Sequence, residues 1–135
     1  MVESYEIKVD LRDDCYRVIR IGKQETLEDL SETILDAFDF DNDHCHAFFM
    51  DDRYWSKTNA YYSDYMEEYD SSSDVTLWQL RLKKGEKFKY LFDFGDEWRF
   101  QCKVLRELEE KTDDPVVTQV VGKAPEQYPS WDDEE

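Results

Sequence analysis

The chain has 135 residues, enough for one domain with a substantial core and too few for two of ordinary size. Apolar residues make up 40% of it and aromatic residues 16%, which excludes disorder throughout despite the heavy charge. With 34 acidic side chains against 17 basic ones, the formal charge of −17 repels polyphosphate and disfavours ordinary binding to DNA or RNA.

Tyr5, Ile7, Val9 and Leu11 alternate with Glu6, Lys8 and Asp10, the period-two pattern of a strand with one buried face. A turn over Arg12 to Asp14 leads into CYRVIRI, Cys15 to Ile21, whose β-branched residues predict the returning strand of a hairpin, ended by Gly22. Thr26 followed by Asp29 reads as a capping box, in which hydroxyl and carboxylate each satisfy a free backbone N–H. Leu27, Leu30, Ile34, Ala37 and Phe38 then recur at helical spacing, predicting a helix over 26–39 that lies on the sheet by one apolar stripe. Glu28, Asp29 and Glu32 near its start suit the positive end of the helix dipole.

CHAFFM, Cys45 to Met50, predicts a third strand. Residues 51–74 read as a loop with one helical turn: Tyr61, Tyr62, Tyr65, Met66 and Tyr69 are roughly helically spaced, but acids surround them and Ser71 to Ser73 follow. Asp74 is expected to cap a short helix through Val75, Leu77, Trp78 and Leu80, closed by Gly85. Arg81, Lys83, Lys84, Lys87 and Lys89 form a basic run opposed by Glu86 alone. It is expected to line the solvent face of a strand and guard it against stray pairing, or to meet an acidic partner.

Phe88, Tyr90, Phe92 and Phe94 share one face of a further strand, as do Trp98, Phe100, Cys102 and Val104 of the next. A two-residue turn would set Phe92 against Arg99 and mix charge into the aromatic face. A three-residue corner, Gly95 to Glu97, instead sets Phe94 against Trp98, Phe92 against Phe100, Tyr90 against Cys102 and Phe88 against Val104. It also pairs Asp93 with Arg99 and sets Lys89 against Lys103. A last strand is predicted over Val116 to Val121, and SWDDEE closes the chain as an acidic tail, leaving residues 1–128 as the domain and 129–135 outside it.

The letters Asp93-Phe94-Gly95 match the magnesium loop of protein kinases, but the Gly-rich phosphate loop, strand lysine and H-R-D loop that such a site requires are missing. Asp96 is expected to accept bonds from turn amides, and Trp98 to sit in the core. His44 and His46 would put two imidazoles on one side of a strand near Asp41, Asp43, Asp51 and Asp52. A metal site and histidines satisfied by neighbouring carboxylates are both readings of that pattern. A nucleophilic triad has no support from two histidines and no G-x-S-x-G. Cys15, Cys45 and Cys102 lie far apart without a C-x-x-C pair, which predicts reduced, mostly buried thiols. MVESYEIKVD lacks the basic start and apolar run of a signal peptide, and no stretch approaches the ~20 apolar residues of a membrane span. A cytoplasmic protein is expected.

These residues resemble the Ri-plasmid open-reading-frame-three-like family, which is linked to a passenger protein of a mycobacterial insertion sequence. CYRVIRI is similar to its second strand, TLEDL to its helix start, HCHAFFM to its H-L-H-x-F strand and KFKYLFDFGDEW to its F-x-Y-x-Y-D-F-G-D-x-W signature. The family's histidine two residues after the tryptophan is Phe100 here, and its closing P-P-E-D-x-G-G segment is reduced to APEQY. The resemblance implies an α+β domain and supplies no activity; His44, His46, Asp93, Gly95, Asp96 and Trp98 match its motifs and mark a candidate shared binding surface.

Together these readings predict a two-layer α+β fold, with a mixed or mainly antiparallel sheet of about five strands carrying one main and one short helix. The expected function is a non-enzymatic cytoplasmic interaction or regulatory module associated with mobile elements, with another protein as partner and no cofactor. His44, His46, Asp93, Asp96, Trp98 and Arg99 are its candidate binding residues. The competing expectation is an accessory of nucleic-acid processing, acting through the basic run, as a metal-assisted enzyme at His44 and His46, or as a DNA mimic.

Overall fold

A computed structural model describes residues 1–63 and 70–128. The expected features at Tyr65, Met66 and Tyr69, and the tail 129–135, lie outside the described residues. The alternating segments form strands β1 (Ser4–Arg12), β2 (Cys15–Gly22), β3 (His46–Phe49), β4 (Ala60–Tyr62), β5 (Lys87–Phe92), β6 (Trp98–Leu108) and β7 (Val116–Val121). They make one sheet in the order β4-β3-β5-β6-β1-β2-β7, every neighbouring pair antiparallel.

The fold is therefore α+β, with seven strands among the described residues rather than about five. The strand hidden from the sequence is β4, whose three residues are too few to show alternation; it forms by pairing Ala47 with Tyr62 and Phe49 with Ala60.

Helix α1 (Leu27–Ala37) starts as its residues dictate. Thr26 Oγ1 accepts from the Asp29 amide at 3.1 Å, and Asp29 Oδ2 accepts from the Thr26 amide at 2.9 Å. Its apolar stripe, Leu27, Leu30, Ile34 and Leu35, covers one sheet face with Tyr5, Ile7, Val9, Ile19, Phe88, Tyr90, Phe92 and Phe100 beneath it. On the opposite face, Ala47, Phe49, Tyr62 and Leu91 form a smaller cluster with Tyr54, Ala60 and Phe94. The short helix α2 (Leu77–Leu80) is capped by Thr76, not Asp74, which lies in a 3-10 turn at Ser72–Asp74. It closes at Arg81 in the left-handed conformation, φ 54°, before the chain reaches Gly85.

The hairpin keeps its aromatic face but shifts its register. Phe92 stands opposite Trp98, Tyr90 opposite Phe100 and Phe88 opposite Cys102, so the corner is the five residues Asp93 to Glu97. Asp93 (φ 66°) and Glu97 (φ 51°) are both left-handed, which ends the ladder on each side of the bend. A slip of two residues keeps every side chain on its own face. At roughly 1.5–3 kcal/mol for each buried ring, that outweighs the repulsion of Lys87 opposite Lys103. Arg99 accordingly faces Leu91, not Asp93, and Lys89 faces Gln101. Phe94, freed from the strand, crosses to the smaller cluster and meets Trp55 and Tyr62 with ring centroids 5.2 and 6.0 Å away. The lysine run guards no edge, because β5 lies between β3 and β6.

Candidate functional site

The D-F-G letters form a self-capped turn. Asp93 is buried, and its Oδ1 accepts from the amides of Gly95 and Asp96 at 3.1 and 3.2 Å. The amide of Glu97 reaches back to the Asp93 carbonyl. The role expected of Asp96 thus belongs to Asp93, while Asp96 itself is exposed. The second carboxylate oxygen of Asp93 faces the loop before β3, with Oδ2 3.5 Å from His44 Nε2. Asp43 Oδ1 flanks the same nitrogen at 3.8 Å. Both oxygens of Asp93 are committed to architecture and to His44.

His46 behaves differently from His44. It opens β3 buried at 4% exposure, its Nε2 2.8 Å from Ser72 Oγ, between the rings of Phe48 and Tyr90. His44 is 42% exposed at its side chain. The two imidazoles line one cavity, but one is bonded into the core and the other stands at the rim. Among the described residues, no group of three His, Cys, Asp or Glu side chains is placed to hold a metal ion.

Trp98 packs edge-on against Phe40 at 4.8 Å, with its indole Nε1 buried and without a partner among the described residues. Arg99 lies on the other sheet face, donating from Nη2 to Glu97 Oε1 at 2.6 Å with its guanidinium 4.5 Å from the Tyr54 ring. The structure therefore gathers His44, Asp93 and Asp96 at the corner, puts His46 and Trp98 inward, and separates Arg99 from them all.

The cavity has a volume of about 680 Å³ and opens between α1 and the loop before β3. Among the described residues, Glu28, Ser31 and Glu32 of α1 form one wall, and Asn42, Asp43, His44, Cys45, His46 and Ser63 also line it. None of these lining residues is Lys or Arg. Glu28 and Glu32 carried a readable signal, since like charges four residues apart share a helix face and mildly repel.

The C-terminal segment holds the rim. Gln127 accepts from the Asp41 amide at 2.6 Å and donates to the Asp41 carbonyl and to Asp43 Oδ1, while the Tyr128 hydroxyl donates to Asp43 Oδ2 at 2.9 Å. Lost hydration, then that bond and the charges of Asp43, Asp93 and Asp96, push the Tyr128 phenol up to about 12. Gln127 and Tyr128 lie more than 80 residues from their partners, so no local pattern announces them.

No helix of the described residues is long and apolar enough to cross a membrane. The sequence model of a family described as plasmid pRiA4b ORF-3-like protein matches residues 3–128. No curated protein matches the chain. Among solved structures, a protein of unknown function from Methanosarcina mazei Go1 is similar with a TM-score of 0.72 and 21% sequence identity. The match covers 93% of this chain and 72% of that one, a likeness of fold.

Proposed function

This chain belongs to the plasmid pRiA4b ORF-3-like family, and from that premise we propose that it is a non-enzymatic interaction module whose acidic cavity receives a basic side chain of a partner protein. The observation that carries this reading is the cavity wall: Glu28, Glu32 and Asp43 line it, and none of the described lining residues is Lys or Arg. A lysine or arginine entering there meets carboxylates on two sides, with His44 and Cys45 at the mouth. The overall charge of −17 speeds the approach of a cationic surface. His44, Asp93 and Asp96 form the rim on this reading, His46 lines the interior, and Trp98 packs against Phe40 outside the lining. Work in the cytoplasm beside the products of mobile elements belongs to the same reading, supported by the family's plasmid description alone.

The test is titration of fluorescent Lys- and Arg-containing peptides against wild-type protein and Glu28→Gln/Glu32→Gln, with Asp13→Asn/Glu109→Gln as a variant of equal charge. Binding that weakens with salt, and that the cavity variant reduces at least about tenfold while the control variant does not, supports the reading. Equal losses in the two variants, or no binding at low salt, overturn it. Retention of labelled DNA by the wild type at low salt would favour the nucleic-acid accessory, through the exposed Lys83, Lys84 and Lys87.

A further inference from the structure

One edge of the sheet is β4, only three residues long and bridged at Tyr62 by Ser71. The other is β7, six residues reading VVTQVV, with β2 on one side and no strand among the described residues on the other. Edge strands usually carry a charge, a proline or an inward-pointing polar group that discourages a second chain. No charge or proline lies within β7, which is preceded by Pro115 and irregular at its centre, and Val116 and Val120 are 50% and 63% exposed.

The strand is nearly symmetric about its middle, with two valines on each side of Thr118 and Gln119. Val117 pairs with Ile19 and Val120 with Arg17, whereas Val116 pairs with Arg20, Gln119 with Val18 and Val121 with Tyr16. A register shift between Val18 and Ile19 makes Thr118 an extra residue at the middle of β7. Val117 and Val120 therefore share the helix-covered face, and Val116, Gln119 and Val121 the other. Read from either end, the strand presents an outer valine, a helix-side valine, the Thr118-Gln119 bulge, a helix-side valine and an outer valine.

We propose that β7 is a self-pairing edge: a second copy of this chain, turned by a two-fold axis normal to the sheet, adds antiparallel with Val116 opposite Val121 and Val117 opposite Val120. The flanking residues agree with that register. In that register Asp114 of each copy, just before Pro115, lies at the same end of the seam as Lys123 of the other, just after Gly122, and both are exposed. The bulge supplies specificity. A regular strand would match the faces of β7 on one side of Thr118 and be reversed on the other, whereas a copy with the same irregularity at its centre matches on both. The result is one continuous sheet of twice seven strands.

Two copies each carrying −17 repel, so this association tightens as salt rises toward physiological strength, opposite in sign to binding at the cavity. Sedimentation of the full chain over a concentration series, at low and physiological salt, reads it. The wild type is expected to dimerise, Lys123→Asp to weaken the dimer at least about tenfold, and Asp114→Lys/Lys123→Asp to restore it by exchanging the charges across the seam. A monomeric wild type overturns the proposal. So does a dimer indifferent to Lys123→Asp, or one weakened by it and not recovered by the exchange.

Discussion

The phenol of Tyr128 donates to a carboxylate oxygen of Asp43 at 2.9 Å, tying the last described residue to the loop that forms the cavity rim. The bond needs a protonated phenol, and the folded-state pKa of about 12 lies above the ordinary value of 10.0. Sign follows from linkage: the contribution is complete below pH 10 and is lost as pH rises through about 12. A tyrosinate absorbance titration of the wild type minus that of Tyr128→Phe should show one phenol ionising near 12; a difference centred on 10 would detach Tyr128 from Asp43.

Asp93→Ala should cost about 1–2 kcal/mol, because the amides of Gly95 and Asp96 lose their acceptor and alanine is strained at φ 66°. Asp93→Asn keeps an acceptor oxygen and tolerates that conformation, so its loss should stay below about 0.5 kcal/mol. Urea unfolding measures both. Magnesium should leave the wild-type midpoint unchanged, and a rise that Asp93→Ala abolishes would reinstate the ion-binding reading of the motif.

Gly122 and Gly85 both have positive φ, yet their substitutions should differ. A Cβ on Gly122 would sit 2.0 Å from the Asp14 carbonyl oxygen and 2.9 Å from Cys15 Cα, whereas one on Gly85 meets nothing within 4 Å. Gly122→Ala is expected to lose about 2–4 kcal/mol and Gly85→Ala about 1 kcal/mol. Denaturation midpoints at equal m-value check the order. Gly122 also accepts from the buried Arg17 guanidinium, so its replacement should disturb β7 as well.

Native protein should expose one thiol to a disulfide reagent before the other two. Cys45 is half-buried at the cavity, while Cys15 and Cys102 are buried and burial pushes the Cys102 thiol well up. Mass mapping after brief labelling should find Cys45 first. A peptide seated in the cavity should slow that labelling, and unfolding should release all three cysteines to equal rates.

What the sequence showed, and what it hid, divides by range. Thr26 and Asp29 declare the start of α1 because a capping box spans three residues, and the aromatic face of β5 and β6 follows from a period of two. The corner between them was harder, since nothing local says that Asp93 and Glu97 turn left-handed and lengthen it from three residues to five. At the site, the motifs mark both His44 and Asp93, but their approach depends on the pairing of His46 with Phe92 across β3 and β5. Ser72 beneath His46 and Tyr128 beside Asp43 lie 26 and 85 residues from their partners. Such meetings are decided by topology, and a single sequence carries no trace of them.

The sheet order has a consequence for synthesis. Glu6 and Arg106, one hundred residues apart, join across the central β1–β6 seam. At ribosomal speed the nascent β1–β2 hairpin waits about 5–20 s for that partner strand, its Ile7 and Val9 edge open meanwhile. Chaperone demand should therefore concentrate in that interval, and truncation before Leu108 should leave an insoluble product whatever the health of the cavity.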